Sequence, residues 1–171
     1  MEFTKVITGR ESIRSYDPKR PVDKAVLERI LDAGRIAPSA ANRQPWRFLL
    51  ASSRESLISL RRCYPKPWFQ DAPHILVVVG RTSEAWLRQD GWNSIETDLA
   101  IVMDHIILAA ENEGVATCWV GAYDPLMLRS ALGLSSEEHV YSITPLGYAR
   151  SGFAKKGNKE RKALSDVVKY I

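Results

Sequence analysis

Asn93-Ser94-Ile95-Glu96-Thr97-Asp98-Leu99-Ala100-Ile101-Val102-Met103-Asp104-His105-Ile106-Ile107-Leu108-Ala109-Ala110-Glu111-Asn112-Glu113-Gly114 is the stretch on which the fold turns. Ile95, Leu99, Val102, Ile106, Ala109 and Ala110 recur at helical spacing and make one face. Ile101, Met103, Ile107 and Leu108 broaden that face over most of the circumference. The spacing predicts a helix over about 93–113, stopped by Gly114. A helix this apolar needs cover on several sides. It lies in the middle of a core or against another subunit.

The flanking sequence supplies the cover. Upstream, Ile75 to Val79 is a continuous β-branched and apolar run, the pattern of a central strand. Downstream, Val115 to Gly121 reads as a strand and residues 139–149 as a second, stronger one. Between these two, Asp124-Pro125 places an N-cap and an N1 proline before a helix that stops at Gly133. Toward the N-terminus, residues 47–52 read as a strand, and Ser53 caps a helix over 54–63. Asp23 caps a helix running to about Ile36, and residues 2–9 form a short helix. Residues 10–21 are extended around Asp17-Pro18 and Arg20-Pro21, and the prolines at 65, 67 and 73 mark a loop. Helices alternating with strands around so apolar a helix predict an α+β or α/β sandwich.

Composition excludes several classes. The 171 residues suit one domain or one protomer of a compact dimer, and 45% hydrophobic against 26% charged content is that of an ordinary globular chain. No run of about 18 apolar residues exists, so no membrane span is expected. The N-terminus lacks the pattern of a signal peptide. Cys63 and Cys118 form neither a CxxC pair nor a disulfide framework, which points to the cytosol. His74, His105 and His139 are isolated, so no metal is expected. GxGxxG, GxxxxGK[ST] and GxSxG are all absent, which disfavours dinucleotide-fold, P-loop and hydrolase readings. The net charge of +4 suits an anionic cofactor or nucleic acid. A basic RNA-binding module is the weaker choice: the tryptophans are not interleaved with the basic run at 155–162.

Three segments carry chemistry. Arg10-Glu11-Ser12-Ile13-Arg14-Ser15-Tyr16, if extended, turns residues 10, 12, 14 and 16 to one side, where guanidinium forks and a hydroxyl suit phosphate oxygens. Pro38-Ser39-Ala40-Ala41-Asn42-Arg43-Gln44-Pro45-Trp46 offers amides that can answer the N–H and C=O groups of a planar heterocycle. In Thr117-Cys118-Trp119-Val120-Gly121-Ala122-Tyr123-Asp124-Pro125, Gly121 permits close approach of backbone to a ligand.

In this order, with the apolar helix, Glu113-Gly114-Val115-Ala116-Thr117-Cys118-Trp119-Val120-Gly121 and a basic Lys159-Glu160-Arg161, the segments resemble the nitroreductase family from about residue 3 to 171. The resemblance implies one FMN-binding domain over 1–171. It implies an α+β sandwich with a central, mostly antiparallel sheet, forming a domain-entwined homodimer with FMN at the subunit interface. Carried over by motif, Arg10, Ser12, Lys159 and Arg161 look like phosphate and ribityl ligands, and Arg14 looks placed near the N1–C2=O edge of the ring. Pro38, Ser39, Ala40 and Asn42 look like ring or phosphate contacts, partly from the partner, and Gly121 and Ala122 like backbone contacts near N5.

The implied activity of this cytoplasmic flavoprotein is an NAD(P)H-driven, ping-pong oxidoreductase acting on nitroaromatics, quinones or related small acceptors. NADH or NADPH is then a transient co-substrate, and no side chain need act as acid or base. Relatives also carry out reductive dehalogenation, flavin breakdown and enoate-type reduction. Glu11 departs from the pattern, standing where many relatives carry a second basic residue, which implies fewer phosphate contacts. Residues 81–92 leave little room for a lid, which implies an open substrate channel.

Overall fold

The computed structural model describes residues 2–171. Strands β1 (Trp46–Ala51), β2 (His74–Arg81), β3 (Ala116–Thr117) and β4 (Glu138–Gly147) form a sheet in the order β1-β2-β4-β3, each neighbouring pair antiparallel. The helices are α1 (Phe3–Gly9), α2 (Lys24–Arg35), α3 (Arg54–Arg61), α4 (Pro67–Gln70), α5 (Ile95–Asn112), α6 (Pro125–Leu132) and α7 (Leu164–Val167).

The apolar run of β2 serves two cores at once, because successive side chains of a strand leave opposite faces of the sheet. Leu76 and Val78 pack with Leu27 and Ile30 of α2 and with Leu99, Val102, Met103 and Ile106 of α5. Ile75, Val77 and Val79 pack on the other face with Leu57 and Leu60 of α3, Leu128 of α6 and Phe69. The result is the predicted α+β sandwich, with α2 and α5 on one face of the sheet and α3 and α6 on the other. Each fully buried Leu or Ile contributes about 2 kcal/mol through the water it leaves.

α5 is as apolar as its sequence requires, yet the chain covers it incompletely. Ile95, Leu99, Val102, Met103, Ile106, Ile107 and Ala110 are buried, whereas Ile101, Leu108 and Ala109 stay half-exposed. On the covered side α2 approaches closely: a Cβ at Gly34 would stand 2.7 Å from Ile106 Cγ1, so only glycine admits this contact.

Several expectations need correction. The strand expected over Val115–Gly121 is a ladder at Ala116–Thr117 with one further bridge, Val120 to Ile143. Continuing the register that pairs Ala116 with Gly147 and Thr117 with Leu146 sets Pro145 opposite Cys118. Proline has no N–H to donate, and the Cys118 N–H bonds the Thr144 hydroxyl instead, at 3.3 Å. The proline-marked loop contains the short helix α4, with Pro67 at its start and Phe69 fully buried. Asp23 does precede α2, but its backbone carbonyl rather than its carboxylate receives the first N–H groups. Ser53 caps α3 through its side chain, as the sequence suggests.

Candidate functional site

The two ends of the chain meet at the β3 edge of the sheet. The Ile13 N–H donates to the Thr117 carbonyl at 2.8 Å, and Ser12 bridges Thr117 in parallel. Four residues on, Tyr16 bridges Ala149 in the antiparallel sense, and the Asp17 N–H donates to the Tyr148 carbonyl at 2.9 Å. Because the segment changes partner between residues 12 and 16, simple alternation fails. Ile13 and Tyr16 both turn into the core, and the Tyr16 hydroxyl donates to the Ile13 carbonyl. Tyr16 therefore leaves the face on which the extended reading put it, while Arg10, Ser12 and Arg14 share a pocket.

That pocket has a volume of about 580 Å³, and Lys159 and Arg161 line it from the other end of the chain. Five of the residues singled out from sequence thus come together. Glu11, Lys156, Asn158, Phe153 and Ala154 complete the lining, so five cations converge with one carboxylate. The Lys159 Nζ donates to the Arg10 carbonyl at 2.7 Å, and Arg161 donates to the Glu160 carbonyl at 2.7 Å. Guanidinium forks, an ammonium and a hydroxyl around one cavity make a receptor for a group with several anionic oxygens.

Pro38, Ser39, Ala40 and Asn42 lie elsewhere, in the turn between α2 and β1, and do not line this pocket. Ala41, Asn42 and Gln44 have φ of 51°, 53° and 50°, a left-handed backbone that disfavours side chains. The turn is therefore held from outside. The Asp98 carboxylate, 1% exposed, accepts the Ala40 N–H at 2.9 Å and the Ser94 hydroxyl at 2.7 Å. The Ser94 hydroxyl also accepts the Trp86 N–H at 3.2 Å, joining the 82–93 excursion to the same carboxylate. The Ser39 hydroxyl accepts the Gln44 N–H, and the Gln44 amide donates to the Asn42 carbonyl and side-chain oxygens. Trp46 packs against the α5 core.

Gly121 and Ala122 form an exposed turn between the Val120 bridge and α6. Asp124 fixes its far side by accepting the Leu126 and Met127 N–H groups, both at 2.9 Å. A Cβ on Gly121 would meet nothing within 4 Å, so its backbone is open to approach.

Sequence reasoning missed Asp98 and Asn158, and it took Lys156 only as one of the basic cluster near the C-terminus. Cys118, which its apolar setting marks as a buried thiol, is buried and free. Burial raises its thiol pKa, while Arg14, a hydrogen bond with Ser12, and Arg10 pull it the other way.

The remaining chemistry-bearing groups do not compete. Ser52 Oγ lies 2.7 Å from His74 Nδ1, which resembles half of a hydrolytic dyad. The Val22 N–H donates to His74 Nε2 at 3.0 Å, so Nδ1 carries the proton and the ring cannot accept one from Ser52. Among the described residues no cluster of His, Cys, Asp and Glu could hold a metal, and no helix is long and apolar enough to cross a membrane.

This arrangement can be set beside known proteins. The model of the Nitroreductase family matches residues 7–66 and 55–148. The chain belongs to the nitroreductase family. A relative from Archaeoglobus fulgidus, whose name pairs NADH dehydrogenase with NAD(P)H nitroreductase, is 30% identical over 153 residues, 87% of this chain and 86% of its own. The crystal structure of a nitroreductase family protein from Clostridium difficile 630 superposes with a TM-score of 0.90 at 33% identity, covering 99% of this chain and 98% of that one. A structure named as an FMN-dependent nitroreductase, from Clostridium difficile R20291, gives 0.81 at 25% identity over 98% of both chains. This nitroreductase-family chain is therefore an oxidoreductase on the family's sandwich.

Proposed function

We propose that the chain binds FMN and catalyses the NAD(P)H-driven, ping-pong reduction of nitroaromatic, quinone or related small electron acceptors. The observation that carries this reading is the pocket in which Arg10, Ser12 and Arg14 meet Lys159 and Arg161. Such a donor set suits a dianionic phosphate. Bound flavin supplies the two-electron carrier that no side chain provides.

The chain's own residues bind and orient. Arg10, Ser12, Lys159 and Arg161 hold the phosphate and ribityl oxygens. Arg14 sets a positive charge where it stabilises an electron-rich ring. The turn at Pro38, Ser39, Ala40 and Asn42 and the backbone of Gly121 and Ala122 contact the ring. Residues 1–171 act as one such domain.

We assign the working form to a homodimer, since the ring contacts and the cation pocket are separate within one chain. Its support is the half-exposed side of α5 and the apolar ends left in solvent: Leu164 is 70% and Tyr170 90% exposed. Both cysteines are buried free thiols, which suits a cytoplasmic protein.

The test is the visible spectrum of purified protein before and after anaerobic addition of NADH and NADPH. A flavin spectrum that one donor bleaches supports the reading and names the donor. Protein that stays colourless after incubation with FMN overturns it. Turnover with nitroaromatics, quinones and halophenols then separates reduction from dehalogenation.

A further inference from the structure

Glu11 stands between Arg10 and Ser12 and lines the cation pocket. A carboxylate there should repel an incoming phosphate and weaken the site. Its hydrogen bonds suggest the opposite. One oxygen accepts the Gly157 N–H at 2.8 Å and the other the Lys156 N–H at 3.0 Å. Gly157 has φ of +68°, the left-handed conformation that turns successive N–H groups toward one anion. The Gly157 amide foremost holds the Glu11 carboxyl below its ordinary range; burial opposes it, and the Lys156 amide and the charges of Lys159 and Lys155 add to the lowering.

Two further bonds join the same stretches of chain. The Lys159 Nζ donates to the Arg10 carbonyl, and the Lys155 Nζ donates to the Gly9 carbonyl at 2.9 Å and pairs with Glu111. The segment at 153–162 has no helix or strand of its own, and nearly all of it is exposed. With no core to order it, its course over the pocket depends on these contacts. Five converging cations would otherwise drive it away.

We propose that Glu11 is a positioning residue: its carboxylate latches the turn at Lys156 and Gly157 onto residues 9–11, so that Lys159 and Arg161 face the anion pocket. The function of the latch rests on the reading that this pocket takes the FMN phosphate. The carboxylate spends both oxygens on backbone amides, so its charge assembles the cations instead of opposing their ligand.

The test uses the full chain with Glu11→Ala, Glu11→Gln and Glu11→Asp, and reads two quantities. The first is trypsin cleavage at the basic residues of 155–162 in FMN-free protein. Cleavage should accelerate by about tenfold or more in Glu11→Ala, less in Glu11→Gln, and return toward the parent rate in Glu11→Asp, which keeps the charge. The thermal midpoint should barely move, because the latch touches no core residue. The second is FMN affinity, which should weaken by about tenfold in Glu11→Ala.

A carboxylate that merely repels phosphate gives the opposite sign, so tighter FMN binding by Glu11→Gln or Glu11→Ala overturns the proposal. Unchanged cleavage in both variants overturns it too. If the parent protein takes up no FMN while Glu11→Ala still loses protection, the latch stands and the cofactor reading fails.

Discussion

The turn over residues 39–44 and the clamp between residues 9–11 and 155–161 are each organised by a carboxylate that accepts N–H groups, and they differ in where that carboxylate sits. Asp98 is buried beneath its turn, with the Ser94 hydroxyl and the Ala40 amide as partners. Glu11 is only half-buried, on amides of a segment that is itself in solvent. In a low-dielectric interior each hydrogen bond to a charge is strong, and an orphaned donor is costly. At the surface the same bonds compete with water and are screened by salt. The 39–44 turn is therefore built before any ligand arrives, strained φ values included. The clamp is an electrostatic assembly of exposed chain, held by hydrogen bonds that water and salt can weaken.

The sharpest way to break this contrast is Asp98→Ala. It leaves the Ala40 N–H and the Ser94 hydroxyl without their acceptor and should cost about 2–4 kcal/mol of stability, read from the urea midpoint. A loss below about 1 kcal/mol would mean that the buried carboxylate does no more than a surface contact.

On the clamp side, Arg10→Ala and Arg161→Ala should each weaken FMN binding by about 1.5–3 kcal/mol, with the global midpoint nearly unchanged. The penalty should shrink as ionic strength rises from about 0.05 to 0.5 M. Unchanged affinity in both variants would show that the phosphate site lies elsewhere.

The smallest effect is in acid, where the two kinds of environment titrate in different windows. Burial holds the His74 imidazole below its ordinary value of 6.5. Below pH 6.5 the unfolded chain takes up a proton that the native ring refuses, so stability falls with pH until the ring's own lower pKa is passed. The Glu11 carboxyl is lowered from 4.5, so its contribution is complete above that pH and is lost only as pH falls through the lower native value. Urea midpoints across pH 7 to 4 should therefore decline while trypsin protection of residues 155–162 persists. Loss of protection beginning near pH 6.5 would place the clamp under the control of the core.

Much of this was legible in the chain. The β2 run, the α5 periodicity, the Ser53 cap and the Asp124-Pro125 start are local signals, and the structure repeats them within a residue or two. The residues that meet in the cation pocket were legible as chemistry, since guanidinium forks, ammonium groups and a hydroxyl all suit anionic oxygens. The break at Cys118 was not, because it depends on which residue of another strand stands opposite. Nor was Asp98: a carboxylate on an apolar helix gives no hint that a turn 58 positions away will donate to it.

By itself, then, the sequence determined most of the helices and strands, a sandwich class, the family, and which side chains carry the charge that meets in the pocket. Those follow from periodicity and residue type, which are carried along the chain. Only the tertiary structure decided that Tyr16 turns inward, that Asp98 braces the 39–44 turn, and that Glu11 accepts the Lys156 and Gly157 amides. Each of those depends on a hydrogen-bond partner distant in sequence, and such partners exist only once the chain has folded.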